Sequence, residues 1–224
     1  KIIEKKDVLM NKYDLSYKLH CDLLDNIKQV FEEIAVNVKS RIKEINDAAQ
    51  TMTPEDIENQ LADDYYYYSE TFSAINNNIY LAHVVSAVEI HLNRLKSIYT
   101  TKHPSCRPPG LSGTSFMRKF EGFMSDIGCS FDFAVSDWQD IDAFRAIRNG
   151  FIHGGAEYSD VEPVGQLYID NNPSYFDVKT ILRRNGTTQK TTFYIKNDIM
   201  LLNAISIVKR ITDKITTSLK TFDI

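Results

Sequence analysis

The segment Arg145-Ala146-Ile147-Arg148-Asn149-Gly150-Phe151-Ile152-His153-Gly154-Gly155 sets arginine, asparagine and histidine at fixed offsets where a helix should end. An arginine is a permanent cation whose paired N–H donors match a phosphate, and a histidine accepts or releases a proton near neutral pH. Phosphodiester cleavage without a metal needs both. At about 100° per residue, Arg145, Asn149 and His153 share one stripe of a helix, which places the Asn149 amide to orient the His153 ring. Arg148 sits about 140° around the axis from His153, on the face of Ile141, Phe144 and Ile152. An intact helix holds the two apart. Either Gly150 loosens the last turn before Gly154 and Gly155 stop it, so that His153 swings out of register, or a second chain completes the site.

A second charged residue occupies an apolar face. Leu81, Val85, Val88, Leu92, Leu95 and Tyr99 recur at helical spacing, and Glu89 lies on their side. A carboxylate there is costly unless paired, and Arg148 has the mirror-image problem on its own helix. The two therefore either meet, which would fix Arg148 beside the site, or lie at the edges of their stripes and reach separately to water.

The R-N-x-x-x-H string of residues 148–153 resembles the signature of the HEPN superfamily (higher eukaryotes and prokaryotes nucleotide-binding domains). Asn149 directly after Arg148, a position near the end of an amphipathic helix, and an acid within an earlier apolar helix add to the resemblance. It covers residues 70–160 and the closing helix near 197–220. Members are small helical bundles, many of them metal-independent endoribonucleases of toxin–antitoxin, phage-defence and CRISPR-associated systems. The resemblance implies an up-and-down helical bundle, an RNA substrate, no cofactor, and a homodimer that pairs two motifs around one phosphate. His153 would move the proton of the 2′-hydroxyl or of the leaving 5′-oxygen, and Arg148 would stabilise the phosphorane. Asn149 and Glu89 would hold these two in place. Arg145 is either an auxiliary phosphate contact or a surface ion pair with Asp142 at i, i+3.

Composition frames that expectation. The chain has 224 residues, 43% of them hydrophobic, and a net charge of -4, enough for one large domain spanning 1–224. Without an apolar run of about eighteen residues it should not cross a membrane, and its lysine-rich start lacks the apolar stretch of a secretion signal, so a cytoplasmic location is expected. Its acidity argues against a protein that coats nucleic acid non-specifically. Residues 179–220 are nonetheless basic, with Lys179, Arg183, Arg184, Lys190, Lys196, Lys209, Arg210, Lys214 and Lys220 against Asp198 and Asp213, either to guide an RNA backbone or as an ordinary solvated face. Cys21, Cys106 and Cys129 are too scattered for a disulfide framework. His103-Pro104-Ser105-Cys106 imitates half a zinc site but has no second half, and no metal is expected. His20-Cys21 is equally unsupported as a metal site, and His83 and His91, eight apart on the Glu89 helix, read as surface or core-edge residues.

Along the chain, Asp14 and Ser16 announce a long helix to Ala49, with Leu19, Leu23, Ile27, Val30, Phe31, Ile34, Val38, Ile42 and Ile45 at helical spacing. Thr53-Pro54-Glu55-Asp56 opens another that runs to Thr101, with a break near 65–69 or 76–78. Tyr65 to Tyr68 either stack RNA bases or pack against neighbours. Residues 102–112 form a Pro/Gly loop, and residues 110–115 cap the next helix rather than cradle a phosphate. Ser136 and Asp137 should cap the helix carrying the Arg/His motif. Residues 161–196 read as a β-hairpin insertion, with strands at 166–169, 175–182 and 191–195 and an Arg184-Asn185-Gly186 turn. Asn197 and Asp198 restart a helix.

The expected function is a metal-independent endoribonuclease, a toxin or phage-defence effector with RNA as substrate and an antitoxin or defence-system protein as partner. Two rival classes stand beside it: a non-catalytic helical dimerisation or RNA-binding module, and a nucleotide-handling protein whose Arg/His pair binds a ligand phosphate or accepts a modification.

Overall fold

The computed structural model describes residues 11–106, 116–182 and 189–224. The chain start at residues 1–6, the segment 110–115 and the turn at 184–186 lie outside them. The described chain is mainly helical, with one antiparallel strand pair before the last helix.

Helix α1, Lys12–Ala49, spans 38 residues and so extends about 57 Å. Its cap is Asn11, whose side chain accepts from the Tyr13 N–H at 2.9 Å, rather than Asp14 or Ser16. Asp14 instead receives both of its oxygens' contacts from Lys220 at 2.7 Å. The buried residues are Tyr13, Ser16, His20, Leu24, Phe31 and Ile45; Phe31 and Ile45 belong to the expected stripe and Leu23 and Ile27 of that stripe pack partly buried against the core, whereas Leu19 and Val30 stand 47% and 56% exposed. Polar Ser16 and His20 sit where an apolar count would not place the core.

After α1, Thr53 caps α2, Pro54–Gln60, as the sequence predicts, its hydroxyl accepting from the Asp56 N–H. Short α3, Ala62–Tyr66, leads into a π-helical segment, Tyr67–Phe72. Helix α4, Ser73–Lys102, then runs unbroken through residues 76–78. The break falls in the tyrosine run because Tyr67, Tyr68 and Phe72 cluster there at ring distances of 5.2–6.1 Å, with the Arg41 guanidinium 5.8 Å from the Tyr68 centroid.

Helix α4 is the central post. It buries Tyr80, Leu81, Val84, Val85, Ala87, Val88, Leu92, Leu95 and Tyr99 and is contacted by α1, by α5 (Phe116–Asp126), by α6 (Ser136–Gly154) and by α8 (Asp198–Phe222). Burying each large side chain such as Phe120, Phe123 or Phe144, all within 1% of fully buried, contributes about 1.5–3 kcal/mol. Helix α8 begins as predicted, with the Asn197 side chain accepting from the Met200 N–H.

Two expectations fail around α6. Ser136 and Asp137 do not cap it: the N-cap is Val135, with no side-chain bond, because Asp137 is drawn into a two-pronged ion pair with Arg210 of α8 at 2.6 and 2.5 Å. Residues 166–169 are not a strand but part of α7, Pro163–Asn171. Pro163 at the first turn favours the helix, and Gly165 lets α7 lie against α6, where a Cβ would come within 3.0 Å of the Ala146 Cβ. Tyr168 meets Phe144 edge to face at 5.2 Å. Packing overrides the β-propensity of Leu167, Tyr168 and Ile169. The strand pair is β1, Phe176–Leu182, with β2, Gln189–Ile195, in the register Phe176↔Ile195 to Leu182↔Gln189.

Candidate functional site

Helix α6 carries the Arg/His motif and keeps its course to Gly154. Gly155 then turns left-handed at φ 58°, followed by Ala156 at φ 64°, and both N–H groups return to the Gly150 carbonyl. Gly150 is therefore no hinge. A Cβ at that position would lie 2.6 Å from Val161 Cγ2 and 3.5 Å from Phe193 Cζ, so glycine is there to let the returning chain cross α6. The last turn stays wound, and His153 stays in helical register, about 140° and about 7.5 Å along the axis from Arg148.

Arg148 and Glu89 meet. Arg148 Nη2 donates to Glu89 Oε1 at 2.5 Å, with side chains 14% and 27% exposed. The contact joins α6 to the central post. Arg148 Nε is buried and makes no hydrogen bond among the described residues, an incomplete use of the guanidinium that costs stability. Ile141 and Phe144 on the same face are buried, whereas Ile152 is 57% exposed, so the stripe emerges at the surface towards the end of the helix.

Arg145 is built into the frame. Its side chain is 4% exposed, its Nε donates to Asp142 at 2.8 Å and its two terminal nitrogens grip both oxygens of Glu162 at 2.8 Å. With all three nitrogens committed, Arg145 offers no fork to a phosphate. The Asp142 pair read from the sequence is present, and the stronger partner is Glu162, the residue that leads into α7. The Arg145 guanidinium, then Asn149, holds the Glu162 carboxyl below the usual range against the cost of its burial. Asn149 thus lies near enough to Glu162 to act on its carboxyl. His153 itself is exposed in the last turn of α6.

Arg183 and Arg184 lie outside the described residues; of the rest of the basic C-terminal third, five side chains pair within the molecule. Lys209 pairs with Asp25 at 2.6 Å, Lys220 with Asp14, Arg210 with Asp137, Lys179 with Asp177 at 2.8 Å and Lys190 with Glu157 at 3.4 Å. Three of these hold α8 to α1 and α6. Charge of this kind fastens helices before it guides a backbone.

Two clusters escape sequence reading. His20 and His91 stack at 4.4 Å with 17° between planes, 1% and 0% exposed. His91 is held by Ser16 at 3.3 Å and Thr216 at 3.0 Å, while neither ring nitrogen of His20 finds a well-formed hydrogen bond. Burial pushes His20 down to about 3 and His91 down to about 4, with Arg94 adding repulsion to both. Polar Ser16 and Thr216 at helical spacing within apolar stripes were the available signal. His103, far from a zinc ligand, bonds Asp223 at 2.7 Å, and Asp223, 2% exposed, also takes Lys102 at 2.7 Å and the Tyr13 hydroxyl at 2.8 Å. These hydrogen bonds hold the Asp223 carboxyl below its ordinary range despite burial.

Among the described residues no three His, Cys, Asp or Glu side chains converge as metal ligands, and no helix is long and apolar enough to cross a membrane. Comparison of the chain with family models, curated proteins and solved structures returned no match. The functional reading rests on geometry and chemistry.

Proposed function

We propose that the protein is a metal-independent endoribonuclease of HEPN type, a toxin or phage-defence effector that cleaves RNA by 2′-hydroxyl transesterification. The observation that carries this reading is the Glu89–Arg148 pair: a half-buried cation anchored to the central post, on the helix whose last turn presents an exposed histidine. A cation held by a carboxylate is pre-positioned for the charge that develops on a phosphorane, and needs no reorganisation at the moment of reaction. His153 supplies the proton transfer. The 2′-oxygen attacks phosphorus, the 5′-oxygen leaves, and the products are a 2′,3′-cyclic phosphate and a 5′-hydroxyl.

Because α6 is regular, one chain does not bring Arg148 and His153 onto one phosphate. The reading therefore includes a homodimer in which the α6 helices of two copies face each other about a two-fold axis. One copy's histidine would take the 2′ proton while the other's protonates the leaving oxygen. Exposed Ile152, one turn beyond Arg148, is an apolar contact for that face.

The same separation favours a second reading, a non-catalytic dimerisation or RNA- or nucleotide-binding module. One experiment decides between them. Purified protein is incubated with RNA and with DNA of the same sequence in excess EDTA. The enzyme reading expects cyclic-phosphate ends on RNA only, abolished in His153→Ala with the fold retained. Cleavage that EDTA stops and a divalent ion restores refutes the mechanism, and RNA binding without cleavage selects the module.

A further inference from the structure

A cavity of about 560 Å³ opens between the helical segment 66–77 and one face of the strand pair. Its origin lies in the hairpin register. Asp177 stands opposite Tyr194 and Lys179 opposite Thr192, so these four side chains share one face, and all four line the cavity. Phe193, of opposite parity on β2, packs its ring on Phe151 at 4.5 Å. The hairpin is thus apolar towards the core and polar towards the π segment. Asn77 Nδ2 donates to the Ile195 carbonyl at 2.8 Å, which ties the hairpin to α4 at the cavity's edge.

The opposing wall is unusual. π-helical turns are rare and occur frequently at functional sites. Here the turn draws Tyr67, Tyr68 and Phe72 into mutual ring contact, while Tyr66 stays 63% exposed and lines the cavity. Tyrosines of the helical wall and the hairpin wall, Tyr66 and Tyr194, provide stacking surface. Lys179 and Lys196 line the same space; Asp177, neutralised by Lys179 at 2.8 Å, leaves the balance positive and offers an acceptor for hydroxyl groups. A volume of this size falls in the range of small-molecule sites.

We infer that this cavity binds a nucleoside monophosphate, its base on the tyrosines, its ribose hydroxyls towards Asp177 and its phosphate towards Lys196. The site is separate from Arg148 and His153 and does not depend on RNA cleavage. Isothermal titration of the full chain with AMP, adenosine and inorganic phosphate tests it. AMP is expected to bind at least about tenfold tighter than either part alone, since ring and phosphate are recognised together. Base–aromatic stacking is worth about 1–3 kcal/mol, so Tyr66→Ala should weaken AMP by at least about fivefold, and Lys196→Ala should do the same while leaving adenosine unchanged. Arg148→Ala and His153→Ala should bind AMP like the native chain. Absence of AMP binding at millimolar concentration, binding indifferent to Tyr66→Ala and Lys196→Ala, or binding lost in His153→Ala would each overturn the assignment.

Discussion

The stacked histidines make acid the most informative perturbation of this fold. Burial pushes His20 down to about 3 and His91 down to about 4 against 6.5 for a free side chain, His91 being the next cause for His20, Arg94 acting on both and Lys209 adding to the pressure on His20. Below pH 6.5 the unfolded chain takes up protons that the folded chain refuses. The stability tied to neutral rings is therefore complete above pH 6.5 and is lost as the pH falls towards the folded values. Each pH unit in that window costs about 1.4 kcal/mol per histidine, so at pH 5 the two together remove roughly 4 kcal/mol, a large part of the 5–15 kcal/mol typical of a domain. Among the described residues neither ring nitrogen of His20 has a partner in hydrogen-bond geometry. His20→Leu should therefore sit within about 1 kcal/mol of the native protein at pH 7.5 and exceed it by roughly 2 kcal/mol at pH 5. Urea unfolding followed by circular dichroism at pH 7.5, 6 and 5 measures both values. Parallel loss of stability in the native and His20→Leu proteins over that range would refute the reasoning, as would an NMR titration placing the folded His20 ring near 6.5.

Three further expectations concern the framework of α6. Glu89→Ala and Arg148→Ala should each cost about 2–3 kcal/mol, more than an exposed pair and less than a fully buried one, and the double mutant should show coupling above about 1 kcal/mol; additive sub-kilocalorie effects would mean that the pair carries no energy. Arg145→Met should lose about 2–3 kcal/mol and free the start of α7, detectable as faster amide exchange at Gly165 and Gln166, whose N–H groups donate to the Glu162 carbonyl, whereas unchanged exchange there would show that α7 docks without it. Gly150→Ala gains helix propensity of about 1 kcal/mol but forces a methyl into Val161, so a net loss of about 1–2 kcal/mol in thermal denaturation is expected; a more stable variant would show that Val161 yields.

Some of this architecture follows from local chemistry and some does not. Glu89 and Arg148 were readable because a charge on an apolar stripe demands a partner, and two opposite charges on two such stripes answer each other. Thr53 and Asn197 announced their helices because capping is decided within three residues. Arg145 was harder: its Asp142 contact is one helical turn away, but Glu162 is seventeen residues on, beyond any periodicity. Asp137 looked like a cap because its real partner, Arg210, is seventy-three residues distant. The stretch 166–169 misled for the opposite reason, its own residues preferring strand while Gly165 and Phe144 decided for helix. Of the cavity, the tyrosine run was legible as a stacking candidate, whereas the gap itself depends on the hairpin register and on a π turn, neither of which leaves a spacing in the sequence.

Ala156 accepts from the Phe193 N–H at 3.1 Å, Glu157 bridges to Thr192, and Lys190 reaches Glu157 at 3.4 Å. The exit of α6 is in effect a third, two-residue strand laid along the outer edge of β2. Thr192, which lines the cavity, is thus one bridge away from a backbone four residues past the histidine. These contacts fasten the exit of α6 to the outer edge of the hairpin, so the end of the helix and the strand pair are held as one frame.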